Sequence, residues 1–311
     1  MMPLHVITGA GGTGAPTAEL LARRGERVRL VSRRGGGPEH PLIERIAADA
    51  TDADALSRLA EGATTLINTA VPPYDRWPEE FPPLATALLD VAERTGAGYV
   101  MMGNTYGYGI VSGRFTEDLP MAPVSVKGQV RARMWTEALE AHRAGRARVT
   151  EVRASAFLGA GAGSLYNFLV APLVLRGEPA GFPGDLDTPK TWSYVGDAAR
   201  TLAAVALAGD DRPWGRAWHV PSTAALSIRE LSTRLTTAAG APAPALTAIS
   251  TDQLAALSAA DPIMQEVIEM MYSLDRPDLL DSTLTERTFG LAPTPLETVL
   301  AETVTAYGTS T

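Results

Sequence analysis

The sequence predicts an α/β protein built on a doubly wound parallel sheet, with a smaller, mostly helical lobe. Three observations carry that expectation. Short apolar runs alternate with helical patterns through most of the chain. A glycine-rich turn separates the first apolar run from the first helix. The alternation then breaks after Gly159. The core is expected over 1–158 and 190–221, and the lobe over 159–189 and 222–311.

The expected strands are Leu4–Thr8, Arg27–Val31, Arg45–Ala48, Thr64–Asn68, Tyr99–Met102, Arg148–Val152 and Ala217–Val220. Helical patterns fall near Thr13–Arg24, Asp52–Ala60, Glu79–Thr95, Ser125–Arg143, Val195–Ala208 and Ile228–Ala239. In the first helix, Ala18, Leu20, Leu21 and Ala22 are candidates for the buried face. Strand–helix alternation calls for right-handed crossovers and helices on both faces of a parallel sheet. Ligands of such sheets sit outside the carboxyl ends of the strands, at the switch point. Beyond the glycine-rich Gly159–Gly163 comes a helix around Leu165–Leu175, then a Gly, Pro and Asp-rich loop over Gly177–Pro189. After Pro221 the pattern is mostly helical, with Pro242 and Pro244 stiffening a connector.

Composition narrows the function. The 311 residues are 45% hydrophobic and 20% charged, enough for a large core. A net charge of −8 argues against a general nucleic-acid or anionic-membrane surface. There is no cysteine, so thiol and disulfide chemistry are excluded. His5, His40, His142 and His219 are scattered without ligand spacing, and no metal site is expected. No apolar run reaches the length of a membrane span and no leader pattern precedes the first strand; a cytoplasmic enzyme is the expectation.

The glycine turn points to a dinucleotide. Gly9, Gly11 and Gly14 fit G-x-G-x-x-G, while Gly9, Gly12 and Ala15 fit a spacing of two residues between each small residue. In a Rossmann-type unit one glycine permits the sharp turn, a second lets the backbone approach the pyrophosphate, and a third lets the helix pack on the strand. In either register the helix opening near Thr13 aims free N–H groups at the phosphates. The second strand ends in Ser32-Arg33-Arg34, without the acid that would bond a ribose 2′-hydroxyl. Guanidinium groups there suit a 2′-phosphate, so NADP(H) is the expected cofactor.

Several segments, in order, resemble the extended and atypical short-chain dehydrogenase/reductases, the NAD-dependent epimerase/dehydratase family. They are the Thr8–Ala15 turn, the acidic turn Ala48–Asp52, Asn68–Val71, the Tyr99–Gly109 strand with its Tyr108-Gly109 ending, Val149–Gly159 with Arg153, and Trp192–Leu202 with Val195, Asp197 and Ala198. Asp281-Ser282 and the closing helix Leu296–Tyr307 also have counterparts. The resemblance implies that Asp49 and Ala50 border the adenine and that Thr69, Ala70 and Val71 lie beside the cofactor ribose. It also implies a Ser/Thr, a Tyr and a Lys four residues later as the proton machinery.

That machinery is missing. The Ser/Thr position falls on Asn104, with Thr105 next, and the helix that should carry Tyr-x-x-x-Lys places Lys127 and Arg131 there instead. The two are i and i+4, on one helix face. Either Arg131 holds the ribose and its field depresses the Lys127 pKa for general-acid work, or a charged Lys127 simply stabilises a developing alkoxide, or both belong to a solvated face that includes Arg133. Asn104 and Thr105 could bond a carbonyl or serve the turn. Tyr106 and Tyr108 are substitute acids to weigh; Trp192, Tyr166, Asn167 and Phe168 are cleft or core candidates, as are Met264, Met270, Met271 and Tyr272. Asp52 suits a helix cap. The expected function is an NADPH-dependent reductase of a ketone on a mid-sized cyclic or aromatic molecule. The alternatives are a redox-neutral nucleotide-sugar epimerase or dehydratase, and a non-catalytic NADP(H)-sensing protein. The small-molecule substrate is the expected partner. Analogy with the fold suggests a homodimer through Glu79–Thr95 and Ser125–Arg143.

Overall fold

The computed structural model describes residues 2–259 and 261–308. Its central sheet has seven parallel strands in the order β11-β7-β5-β4-β1-β2-β3. In chain order the strands of the core are β1 (Leu4–Thr8), β2 (Arg27–Ser32), β3 (Ile43–Ala47), β4 (Thr65–Asn68) and β5 (Gly98–Asn104). After a short β6 (Arg114–Phe115) come β7 (Val149–Ala154) and, following β8 (Ala156–Leu158), β9 (Ala180–Pro183) and β10 (Lys190–Tyr194), the sheet's edge strand β11 (Ala217–His219). The strand order reverses between β1 and β4, which makes the switch point there.

Strands buried on both faces need apolar residues in succession, because neighbours point to opposite sides. In β1 all five residues are buried. Val6 packs with α2 (Ala53–Leu59), α3 (Trp77–Thr95) and α4 (Val126–Arg143), whereas Ile7 packs with α1 (Gly14–Arg23) on the other face. Leu66 and Ile67 of β4 divide the same way. Asp52 caps α2 by accepting from Ala55 N at 2.9 Å, and Ser125 caps α4 by accepting from Gly128 N at 3.0 Å, as their side chains suit.

The lobe holds α5 (Leu165–Leu169) and α6 (Ala171–Leu175), and past α7 (Val195–Ala206) of the core it continues with β12 (Ala224–Leu226), α8 (Ile228–Ala239) and β13 (Leu246–Ile249). Then follow α9 (Thr251–Ser258), α10 (Pro262–Glu269), α11 (Met271–Leu274), β14 (Leu279–Leu280), α12 (Thr283–Phe289) and α13 (Leu296–Gly308). Helices predominate, but the lobe also carries a three-stranded sheet β12-β10-β8 and a pair β13-β9. Lys190–Tyr194 lies outside the seven-stranded sheet and pairs with Ala156–Leu158 in parallel and Ala224–Leu226 antiparallel. The single helix expected over 165–175 is two helices, because Pro172 opens the second and cannot donate to the turn before it. Trp192 and Tyr166 stack edge to face at 5.2 Å inside the lobe's core, so neither lines a cleft, and Phe168 is 68% exposed.

Candidate cofactor cleft and active site

A cleft of about 1170 Å³ opens at the carboxyl ends of the core strands. Its walls include Gly9–Thr13, Ser32, Arg33, Arg34, Asp49–Thr51, Thr69, Ala70 and Val71, and, from the opposite side, Phe157, Gly161 and Gly163. All of the expected cofactor residues except Gly14 thus line one space.

Gly14 lies behind that wall, where it sets the turn. A Cβ there would overlap the Gly9 carbonyl oxygen and Thr69 Oγ1, so only glycine lets α1 start this close to β1. Gly9 has φ +95° and backs onto the Ala70 main chain. Gly11 faces open space, as a residue beneath a pyrophosphate must. Gly12 is pressed against the Gly161 carbonyl of the opposite loop, so Gly9, Gly12 and Gly14 all sit where a side chain would not fit, and both spacings stay open. Thr69 holds the turn from below, its Oγ1 donating to the carbonyls of Thr8 and Gly9 at 2.9 Å each.

The electrostatics of the cleft suit an anion at this end. No side chain caps α1 and its first turn holds no acid, so its positive end is not neutralised, although Ala15 N donates to the Gly11 carbonyl at 3.1 Å and Pro16 carries no N–H. Arg29 and Arg45 are paired with Glu44 and Glu39. Arg33 and Arg34 are exposed at the rim and take part in no ion pair among the described residues. Hydrogen bonds from the main chain and hydroxyl of Thr51 hold the Asp49 carboxyl below its ordinary range. A dinucleotide fits this cradle: glycines where a backbone must come close, the uncapped N-terminus of α1, and two unpaired guanidiniums at the far end.

The expected catalytic residues do not line the cleft. Lys127 is fully buried and its Nζ is paired with Glu266 of α10, over the Tyr74 ring at 4.5 Å. Arg131 is buried between Trp77 and Phe81, donating to the Met102 carbonyl at 3.2 Å. Burial lowers its pKa to about 10. The solvated-face reading is corrected as well: of the three cations only Arg133 faces water, 71% exposed. Helix α10 covers the start of α4 and explains the difference. Asn104 serves its own turn, accepting from Tyr106 N at 3.1 Å. Thr105 reaches Asp278 at 3.5 Å. Tyr106 contacts Tyr74, and burial raises both phenols. Tyr108 is buried, bonded to Arg153 at 2.6 Å and His219 at 2.8 Å, and burial pushes it to about 12.

Two further side chains stand at the strand ends. Ser155, just past β7, donates to Asp278 Oδ2 at 2.8 Å. Asp278 comes from the turn before β14, more than a hundred residues away, and no local pattern in the sequence signals it. A small crevice of about 20 Å³ beside it is lined by Thr105, Tyr106, Tyr272 and Arg276. No cluster of three metal-ligating residues occurs among the described residues.

The model of the NAD dependent epimerase/dehydratase family matches residues 5–220. The chain belongs to that family. No curated protein matches the sequence. Among solved structures, dTDP-glucose 4,6-dehydratase from Bacillus anthracis, in complex with NAD, is 17% identical with a TM-score of 0.80, over 99% of this chain and 97% of its own. The Streptomyces venezuelae dTDP-glucose 4,6-dehydratase is 23% identical with a TM-score of 0.79, over 99% and 98%. UDP-glucose 4-epimerase from Thermotoga maritima is 17% identical with a TM-score of 0.79, over 99% of both chains. The fold is thus a Rossmann-type core with this family's lobe. The expectation of a reductase for a cyclic or aromatic ketone is overturned by these neighbours, which are nucleotide-sugar dehydratases and epimerases. Among the described residues no helix is long and apolar enough to cross a membrane.

Proposed function

We propose that this protein is a redox-neutral enzyme of nucleotide-sugar chemistry that works with a bound nicotinamide dinucleotide, NADP(H) in preference to NAD(H). The observation that carries the reading is the extent of the structural match. It spans the lobe as well as the core, over 99% of the chain, with enzymes named for nucleotide sugars. The unpaired Arg33 and Arg34 at the cleft rim support the phosphorylated cofactor. When bound, the nicotinamide accepts a hydride and gives it back. The chain's part is to hold the pyrophosphate at Gly9–Thr13, to hold the sugar against the strand ends, and to manage the hydroxyl proton.

The test is direct. The purified protein is loaded with NADP⁺ or NAD⁺ and incubated with UDP-glucose, dTDP-glucose and UDP-glucuronic acid. Proton NMR should show a new sugar product, with no net change in nicotinamide absorbance. A protein that holds the dinucleotide but neither binds nor converts any of the three would overturn the reading and leave a sensing role.

A further inference from the structure

The proton machinery of the family is displaced here, since the tyrosine position is Lys127 and it is sealed against Glu266. We propose that Asp278 is the acid–base residue of this site, taking the proton of a substrate hydroxyl on its Oδ1 and returning it. The inference rests on the reading of the site as one that oxidises and re-reduces a sugar carbon.

The geometry comes first. Asn104 of β5 pairs with Ala154 of β7, so Thr105 and Ser155 leave adjacent parallel strands side by side at the carboxyl edge of the sheet. Both hydroxyls reach the same oxygen of Asp278, at 3.5 and 2.8 Å. Ligands of such sheets bind at that edge. Ser155 is also two residues from Phe157, which lines the dinucleotide cleft. Asp278 itself lines the crevice, together with Thr105, Tyr106, Tyr272 and Arg276.

The second observation is an unmet bond. Oδ1 of Asp278 is buried and has no hydrogen-bond partner in the structure. A buried carboxylate oxygen without a donor is unfavourable, and native proteins keep few of them. The main chain of the residue is held in place. Its N–H donates to the Pro189 carbonyl at 3.2 Å and its carbonyl accepts from Thr191 N at 2.7 Å. A hydroxyl entering the crevice supplies the missing donor.

The charged surroundings fit proton exchange. Burial raises the Asp278 carboxyl above its ordinary range, while Ser155, Lys190 and Thr105 pull it back. Lys190 is occupied by the carbonyls of Ser273 and Arg276, at 2.8 and 2.6 Å. Tyr106, Tyr272 and Arg276 are the other titratable or charged groups facing the crevice. In the forward step the hydroxyl O–H bond breaks with its proton going to Oδ1, the adjacent C–H bond breaks with its pair going to the oxidised nicotinamide, and a carbonyl forms. The reverse step restores both bonds, so no net oxidant is used.

The experiment compares wild type with Asp278→Asn and Ser155→Ala, loaded with cofactor. Calorimetry with the nucleotide sugar should show binding retained in Asp278→Asn, with turnover lower by about 10²–10⁴-fold. Ser155→Ala removes a bond that favours the ionised carboxyl, so the acidic limb of its pH–rate profile should move to higher pH. Carbon-13 NMR of the Asp carboxyls gives a readout free of activity. The resonance missing from Asp278→Asn should titrate above the others in wild type and higher still in Ser155→Ala. Turnover of Asp278→Asn within threefold of wild type, or an unmoved limb in Ser155→Ala, would overturn the assignment while leaving the function intact. Should wild type turn over no nucleotide sugar, the function reading fails instead. An Asp278 resonance titrating in the ordinary carboxylate range would then overturn the assignment separately. Should Asp278→Asn not fold, the Ser155→Ala profile and titration decide.

Discussion

At the residue scale the proposed preference for NADP(H) turns on Arg33. It stands at the end of β2 without a carboxylate partner, beside the Asp49 turn. A charge-assisted bond to a phosphate contributes about 1.5–3 kcal/mol, or roughly 10–100-fold in affinity. Arg33→Ala should weaken NADPH by that factor and NADH by less than threefold, in a fluorescence titration of the nicotinamide. Equal losses for both would sink the 2′-phosphate assignment. Two histidines carry a second residue-scale effect. Burial lowers both His5 and His219 from 6.5 to about 4. The folded chain thus keeps them neutral where the unfolded chain protonates them, so their contribution is complete above pH 6.5 and is lost as pH falls towards 4. The loss is about 1.4 kcal/mol per pH unit for each proton. The raised carboxyls of Glu117 and Asp278 act in the opposite sense. Comparison with His5→Asn isolates the histidine term: urea midpoints of the variant should fall less steeply than wild type between pH 6.5 and 4.5, and parallel curves would count against it.

At the scale of elements, the turn into α1 is the tightest joint of the cleft. A methyl on Gly14 would meet the Gly9 carbonyl and Thr69 Oγ1, both fixed by main-chain and side-chain bonds. Overpacking of this kind costs about 1–3 kcal/mol. Gly14→Ala should lower the melting temperature and weaken both dinucleotides. Gly11→Ala meets nothing and should leave the fold within about 0.5 kcal/mol of wild type, while still disturbing the pyrophosphate. If Gly11→Ala proved the more destabilising, the packing account would be wrong. This joint was legible in the sequence because local chemistry makes it: a strand, a run of glycines and a helix are contiguous. The same holds for the cap at Asp52. What could not be read is what distant segments bring. Lys127 and Arg131 share a helix face as their spacing requires, yet whether that face meets water or α10 depends on a segment more than a hundred residues on. Asp278 escaped for the same reason, since its partners leave β5 and β7.

At the scale of the whole molecule, the core and lobe are joined across the start of α4. Lys127 Nζ pairs with Glu266, Lys127 N donates to Glu269 Oε1 at 2.9 Å, and Ser125 lies 3.5 Å from the Tyr272 hydroxyl. The two members of the ion pair are not equivalent. Lys127 is fully buried, while Glu266 remains 24% exposed. Removing the glutamate strands a buried ammonium, and breaking a buried pair in that way costs about 3–5 kcal/mol. Removing the lysine leaves a carboxylate that water can still reach, so the loss should be smaller. Glu266→Ala should therefore destabilise the protein more than Lys127→Met in urea unfolding. Adding Lys127→Met to Glu266→Ala should recover part of the difference, because a methionine fills the space beside Tyr74 without a charge. Limited proteolysis should find the 250–275 segment more readily cut in Glu266→Ala than in wild type, since one of the contacts that hold α10 on the core is removed. A larger loss for Lys127→Met, or no recovery in the double variant, would show that the pair is held by its surroundings and does not itself hold the lobe to the core.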